Sequence, residues 1–234
     1  MFDLKVKYPE FYRFYGRRIA KKLSHQSKRH IETYFDNHSF DEEIVNCFNK
    51  KKFINTDQVY KKTILEIGFG NGEFLVNNSE RNKDTLYIGC EVYLNGFSNV
   101  LNYIYKNNVK NIRICSVNFI FLISVLRDLS LEKVYFINPD PWPKARHHKR
   151  RIVNVENLNL LTSKIKKNCS IIITTDSKEY YEYIISIIND PNLSIKKMKY
   201  TELNNSDSLY GISAYQRKAI NRNDKIYKIE LFNQ

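Results

Sequence analysis

What is scarce in this 234-residue chain narrows its class first. The four cysteines, Cys47, Cys90, Cys115 and Cys169, are far apart, with no C-x-x-C pair and no histidines at metal-binding spacing. Neither a disulfide framework nor a metal site is expected, and the thiols read as reduced. No apolar run approaches the roughly 18 residues a membrane-spanning helix needs. The opening residues, MFDLKVK, lack an apolar stretch with a cleavage site, so no export is expected and the protein is placed in the cytoplasm. Seven glycines and five prolines exclude a collagenous or low-complexity chain. Acidic residues are in deficit, with 25 Asp and Glu against 38 Lys and Arg, for a formal net charge of +13. A surplus of that size favours polyanionic partners through long-range attraction and counterion release. Biased base composition accounts for scattered Lys and Asn, but not for clustered arginine.

Hydrophobic residues at 42% and aromatics at 14% suffice for a core. Residues 1–60 differ from the rest: Arg13, Arg17, Arg18, Lys21, Lys22, Lys28, Arg29 and His30 are interleaved with Phe11, Tyr12, Phe14 and Tyr15. They read as a basic arm with one helix near 41–50, or as a solvated tail. From Thr63 short apolar runs alternate with helical stretches. Strands are expected at 63–67, 85–91, 111–117, 132–138 and 170–175, with helices at 71–80, 94–107, 119–128, 153–166 and 177–188. This alternation predicts a doubly wound, mostly parallel α/β sheet over 61–234. Two further strands, near 194–201 and 224–232, are expected to form a terminal antiparallel hairpin joined by a polar stretch without a helix.

The first strand runs into Glu66-Ile67-Gly68-Phe69-Gly70-Asn71-Gly72. Glycines so spaced allow a tight turn and close approach of a ligand to the backbone. A dinucleotide site wants its third glycine at 73, where this chain has Glu73. Gly72, together with an acid at Glu66, fits S-adenosylmethionine better, because a carboxylate can hold that cofactor's cationic end. Glu91, ending the second strand, suits ribose hydroxyls or is a surface residue at a strand end. Asn118, after the third strand, can reach an adenine edge or cap a helix.

The most informative stretch is Phe136–Arg151, FINPDPWPKARHHKRR. Three prolines within five residues impose a rigid extended loop after the fourth strand. Asp140 is held between two of them, Trp142 offers a flat apolar face, and a run of cations follows, suited to phosphate.

On LEIGFGNGEFL at 65–75, the Glu91 region and NPDPWPKARHHKRRIV at 138–153, the chain resembles the bacterial tRNA (guanine-N7-)-methyltransferase family. The resemblance implies a Rossmann-like S-adenosylmethionine-dependent methyltransferase fold. It also implies methyl transfer to N7 of guanine in tRNA, at position 46 of the variable loop. Glu66, Gly68, Glu91 and Asn118 correspond to cofactor contacts, although Asn118 stands where the family usually has Asp. Asp140 corresponds to the acid treated as the active-site residue and is also counted with the cofactor contacts. Lys144 and Asp176 correspond to substrate contacts. A family T-K-F-E element finds its best counterpart in Ser213-Ala214-Tyr215-Gln216, which departs at every position; Ser213, Tyr215 and Gln216 are its candidate substrate contacts. Arg13, Arg17 and Arg18 are expected to join the RNA surface and to order on binding, and the protein to act as a monomer or homodimer. Two other readings remain at this point: a nicotinamide-dependent oxidoreductase, disfavoured by the glycine spacing, and a non-catalytic RNA-binding protein on the same fold.

Overall fold

The computed structural model of the chain describes residues 2–16, 18, 19, 22–56, 59–195 and 197–233. Arg17 and Lys21 of the basic arm lie outside the described residues. The chain forms two compact units, Met1–Ser130 and Leu131–Gln234.

In the first unit, helices α1 (Phe2–Lys7), α2 (His25–His38) and α3 (Asp41–Asn49) precede any strand. The β/α alternation then runs β1 (Lys62–Ile67), α4 (Glu73–Arg81), β2 (Thr85–Cys90), α5 (Leu94–Lys106), β3 (Ile112–Cys115) and α6 (Phe119–Val125). The three strands are parallel, with β2 between β1 and β3. Every residue of β2, TLYIGC, is buried, as expected of a central parallel strand covered on both faces. The first sixty residues belong to this unit. Phe11 and Tyr12 are core residues, with Phe11 stacked on Phe121 at 4.1 Å between ring centroids. Burying one such ring contributes about 1.5–3 kcal/mol. Tyr12 and the hydroxyls of Ser39 and Ser116 donate to the fully buried Asp41 carboxylate at 2.7–3.1 Å. The arm is therefore docked at Phe11 and Tyr12 and not a solvated tail there, while Arg13, Tyr15 and Gly16 are exposed. Helix α2 was not anticipated: only Ile31 and Phe35 of its 14 residues are buried, so its apolar face is one i,i+4 pair behind a Ser24 cap.

The second unit is built from β4 (Leu131–Ile137), α7 (Val155–Thr162), β5 (Ile165–Thr175), α8 (Lys178–Ile188), β6 (Lys197–Glu202), α9 (Ala214–Asn221) and β7 (Tyr227–Phe232). β4 and β5 are parallel; β7 runs antiparallel to β5 on one side and to β6 on the other. β5 starts at 165, not 170, because Ile165 pairs with Leu131 before the register shifts and Ser170 takes up Lys133. The expected antiparallel ending is present, but its connection holds helix α9. That helix buries only Gln216 and Ala219, which left the polar stretch without a readable apolar stripe.

Candidate active site

The first set of residues lies at the carboxyl ends of β1–β3. Glu66, one residue before the end of β1, is 2% exposed, and its Oε2 has no hydrogen-bond partner. Burial pushes its carboxyl well above the usual carboxylate range, and the nearby Glu91 and Glu73 add to the shift. The loop that follows turns through left-handed conformations at Gly68 (φ 78°), Gly70 (φ 55°) and Gly72 (φ 82°). A Cβ at Gly68 or Gly70 would meet no atom within 4 Å, so the loop borders open space. Its other side is closed by a contact no motif announced: a Cβ on Gly96 of α5 would stand 1.7 Å from the Gly70 carbonyl oxygen. Only glycine at 96 lets the loop lie that close to the helix.

Glu91 anchors this loop. Its Oε2 accepts from the Gly70 amide at 2.6 Å, and its Oε1 from the Val92 and Tyr93 amides at 2.7 and 2.8 Å. Oε1 already accepts two bonds and Oε2 one, so a ribose hydroxyl would have to be accepted at Oε2. Asn118 does what a lone asparagine after a strand often does: its Oδ1 caps α6 through the Ile120 amide at 3.1 Å. Its Nδ2 donates to the Arg13 carbonyl at 2.6 Å, and its amide to that of Phe11 at 2.6 Å. The Leu94 amide, after β2, donates to the Arg18 carbonyl at 2.7 Å. The arm thus runs along the turns that follow β2 and β3, held through its backbone, and the amide expected for adenine is spent on it. Of the three arginines expected to order on RNA, Arg13 and Arg18 are held through their carbonyls, and Arg17 lies outside the described residues.

The second set lies at the carboxyl ends of β4 and β5. The loop after β4 is fixed at several points. Asn138 (φ 49°) and Trp142 (φ 44°) both take left-handed conformations. For a residue with a side chain this costs on the order of 1–3 kcal/mol and persists where surrounding bonds impose it. Here they do: the Asn138 side chain donates to Asp176 Oδ1 at 2.8 Å and accepts from Thr174 Oγ1 at 3.1 Å. Gln216 Nε2 donates in turn to Thr174 Oγ1 at 3.2 Å, and Gln216 Oε1 accepts from the Ile212 amide at 3.1 Å. At 0% exposure Gln216 is a tie within this network. Ser213 caps α9 through the Gln216 amide at 3.1 Å. Of the three candidates from 213–216, only Tyr215, 62% exposed, is an exposed side chain. Asp176 is also 3.7 Å from the Arg222 guanidinium.

Asp140 and Lys144 are exposed on the loop. Trp142 is half-buried: the Arg150 guanidinium lies 5.1 Å from its ring, and His147 meets its edge at 5.7 Å. Burial, then Arg150, Arg146 and Lys144, lower the His147 pKa, which favours a neutral ring. Among the described residues no group of three or more His, Cys, Asp or Glu could hold a metal ion, and no helix is long and apolar enough to cross a membrane.

The fold is that of Rossmann-like methyltransferases. A 30S ribosomal A1408 methyltransferase from an uncultured bacterium superposes with a TM-score of 0.52 at 21% identity, over 83% of this chain and 94% of that one. A precorrin-6y C5,15-methyltransferase from Geobacter metallireducens gives 0.51 at 10% identity, over 82% and 88%. The family model described as "Putative methyltransferase" matches residues 60–229. A tRNA (guanine-N(7)-)-methyltransferase of Wolbachia pipientis wMel is 38% identical over 185 residues, covering 78% of this chain and 80% of that protein. The chain belongs to the tRNA (guanine-N7-)-methyltransferase family. It is also 36% identical over 217 residues to a bifunctional methyltransferase of Rickettsia typhi, spanning 90% of this chain but only 38% of that protein.

Proposed function

We propose that this protein transfers a methyl group from S-adenosyl-L-methionine to N7 of a guanine in tRNA, position 46 of the variable loop, in the cytoplasm and as a monomer or homodimer. The observation that carries the reading is the Glu66 carboxyl, buried and without a partner at Oε2, under a glycine loop that borders open space. A buried polar atom left unpaired is costly and rare, and a cationic ligand arriving there would relieve it. The residues therefore fit S-adenosyl-L-methionine: Glu66 for the cationic amino acid end, Gly68 and Gly70 for close approach, and Glu91 for the ribose. Asn118 would hold the adenine edge through its remaining acceptor capacity. The cofactor supplies an activated methyl group on a sulfonium with a neutral leaving group.

The chain's own contribution follows from the nucleophile. Guanine N7 has an exposed lone pair and no proton, so no general base is required. The S–CH₃ bond breaks as the N7–CH₃ bond forms, and the positive charge moves from sulfur to the purine. Alignment is what remains to be provided, and orientation of this kind contributes up to about 7–11 kcal/mol. Asp140 is assigned to guanine N1–H and N2–H₂, close to the charge the purine gains. Lys144, Tyr215 and the cations of 146–150 are assigned to the RNA, with Asp176 and Gln216 supporting the loop from below.

The test is methyl transfer from labelled S-adenosyl-L-methionine to unmodified tRNA, followed by nucleoside analysis. A 7-methylguanosine product, lost by at least about 100-fold in Asp140→Ala with cofactor affinity largely kept, is the expected result. Binding of both ligands without transfer would refute the reading.

A further inference from the structure

Arg151 closes the basic run that begins at Arg146, yet it differs from the cations around it. Arg146 and Lys149 are exposed and Arg150 is half-buried, whereas Arg151 is 3% exposed. A guanidinium taken out of water is expensive unless its donors are matched. Here they are. Nε donates to the Pro141 carbonyl at 2.9 Å, and an Nη donates to Glu179 Oε1 on α8 at 2.7 Å. The guanidinium carbon lies over the Tyr183 ring, 4.5 Å from its centroid, and over that of Tyr180 at 5.3 Å. A residue so enclosed is not available to a phosphate. What it grips instead is the carbonyl of the residue directly after Asp140, the peptide leading into Trp142 with its left-handed φ of 44°.

We propose that Arg151 is a positioning residue for Asp140: by holding the Pro141 carbonyl against α8 it fixes the direction in which the Asp140 carboxylate points, and it takes no part in RNA contact. The inference rests on the role given above to Asp140. The fork of arginine is needed, because one group must serve the carbonyl, the carboxylate and the ring faces together. Lysine, a single ammonium on a flexible stem, can serve one of these partners at a time.

Trp142 is the only tryptophan in the chain, so its fluorescence reports on this loop alone. The comparison is between Arg151→Lys and Glu179→Gln; the latter keeps the bond to Pro141 and an amide oxygen on α8 that still accepts from Arg151, and removes only the charge. In Arg151→Lys, acrylamide quenching of Trp142 should rise and kcat should fall by roughly 100-fold with both KM values little changed. In Glu179→Gln, thermal stability should fall while Trp142 quenching and kcat stay near those of the parent. Unchanged quenching and kcat in Arg151→Lys would overturn the proposal. So would a raised KM for tRNA with kcat intact, which marks a phosphate contact, or equal losses of kcat in the two variants, which mark stability alone. If Arg151→Lys does not accumulate folded, Tyr183→Leu replaces it: a more readily quenched Trp142 with lowered kcat supports the role, and an unaltered Trp142 refutes it. Should Asp140→Ala prove fully active, the role of Asp140 falls, while the quenching data still decide whether Arg151 holds the loop.

Discussion

Replacing Glu66 with glutamine separates the two things its buried carboxyl is asked to do. In the free protein the group sits well above the usual carboxylate range because burial, then Glu91 and Glu73, oppose its charge. A raised carboxyl binds its proton more tightly folded than unfolded. Its stabilising contribution is full below the unfolded pKa, near 4.5, and declines as the pH rises through the folded value. Each unit of separation corresponds to about 1.4 kcal/mol, lost across that window. Glutamine keeps the shape of the neutral acid and removes the titration. Glu66→Gln should therefore melt above the parent at pH 8 and match it near pH 4. A gain of even 1 kcal/mol moves Tm by about 2–4 °C in a chain of this size. Cofactor binding should respond in the opposite sense. A cation at Oε2 ionises the acid, so the parent should release a proton on binding, and its affinity should rise with pH until the folded pKa is passed. Calorimetry in two buffers of different ionisation enthalpy measures that proton directly. The variant should bind roughly ten- to a hundredfold more weakly, the equivalent of a charge-assisted hydrogen bond, with no proton released. Equal affinity and equal proton release in both proteins would refute the reasoning.

Three further outcomes follow from the geometry. Gly96→Ala drives a Cβ to 1.7 Å from a backbone oxygen that cannot yield cheaply; it should cost about 1–3 kcal/mol and weaken cofactor binding, read by thermal melts and calorimetry. Phe11→Ala opens the stack on Phe121 and should cost about 3–5 kcal/mol in chemical denaturation, whereas a flexible arm would give almost none. Asn118→Ala removes the α6 cap and releases the Arg13 carbonyl; a loss of about 1 kcal/mol is expected, with faster amide exchange at Ile120.

The parallel strands were legible because each is a short apolar run between helical stretches, and the turns after β1 and β4 because glycine and proline mark them. Places marked by local residues, such as that of Glu66 at a strand end beside a glycine loop, could be read from sequence. Those whose partners are backbone groups far along the chain could not. Nothing in the letters Arg13 and Asn118 foretells a bond across 105 positions, since every residue offers a carbonyl. Gln216 is a similar case: its type suits a substrate contact equally well, and only its burial beside Thr174 shows a tie within the fold. Helices α2 and α9 escaped for a simpler reason, each burying just two residues.

The order of strands in the second unit has a bearing on how the chain is made. β7 lies between β5 and β6, although it follows both in the sequence, and β6 pairs with no other strand described here. A ribosome that has produced everything up to Ile226 has produced β5 with an open flank and a β6 with nothing to join. Both wait for six more residues, YKIELF, to slot between them. Until then the unit offers two unpaired edges to any passing strand. Premature release just short of Tyr227 should thus cost two strands where it removes one, and yield an aggregation-prone product in place of a slightly shortened protein.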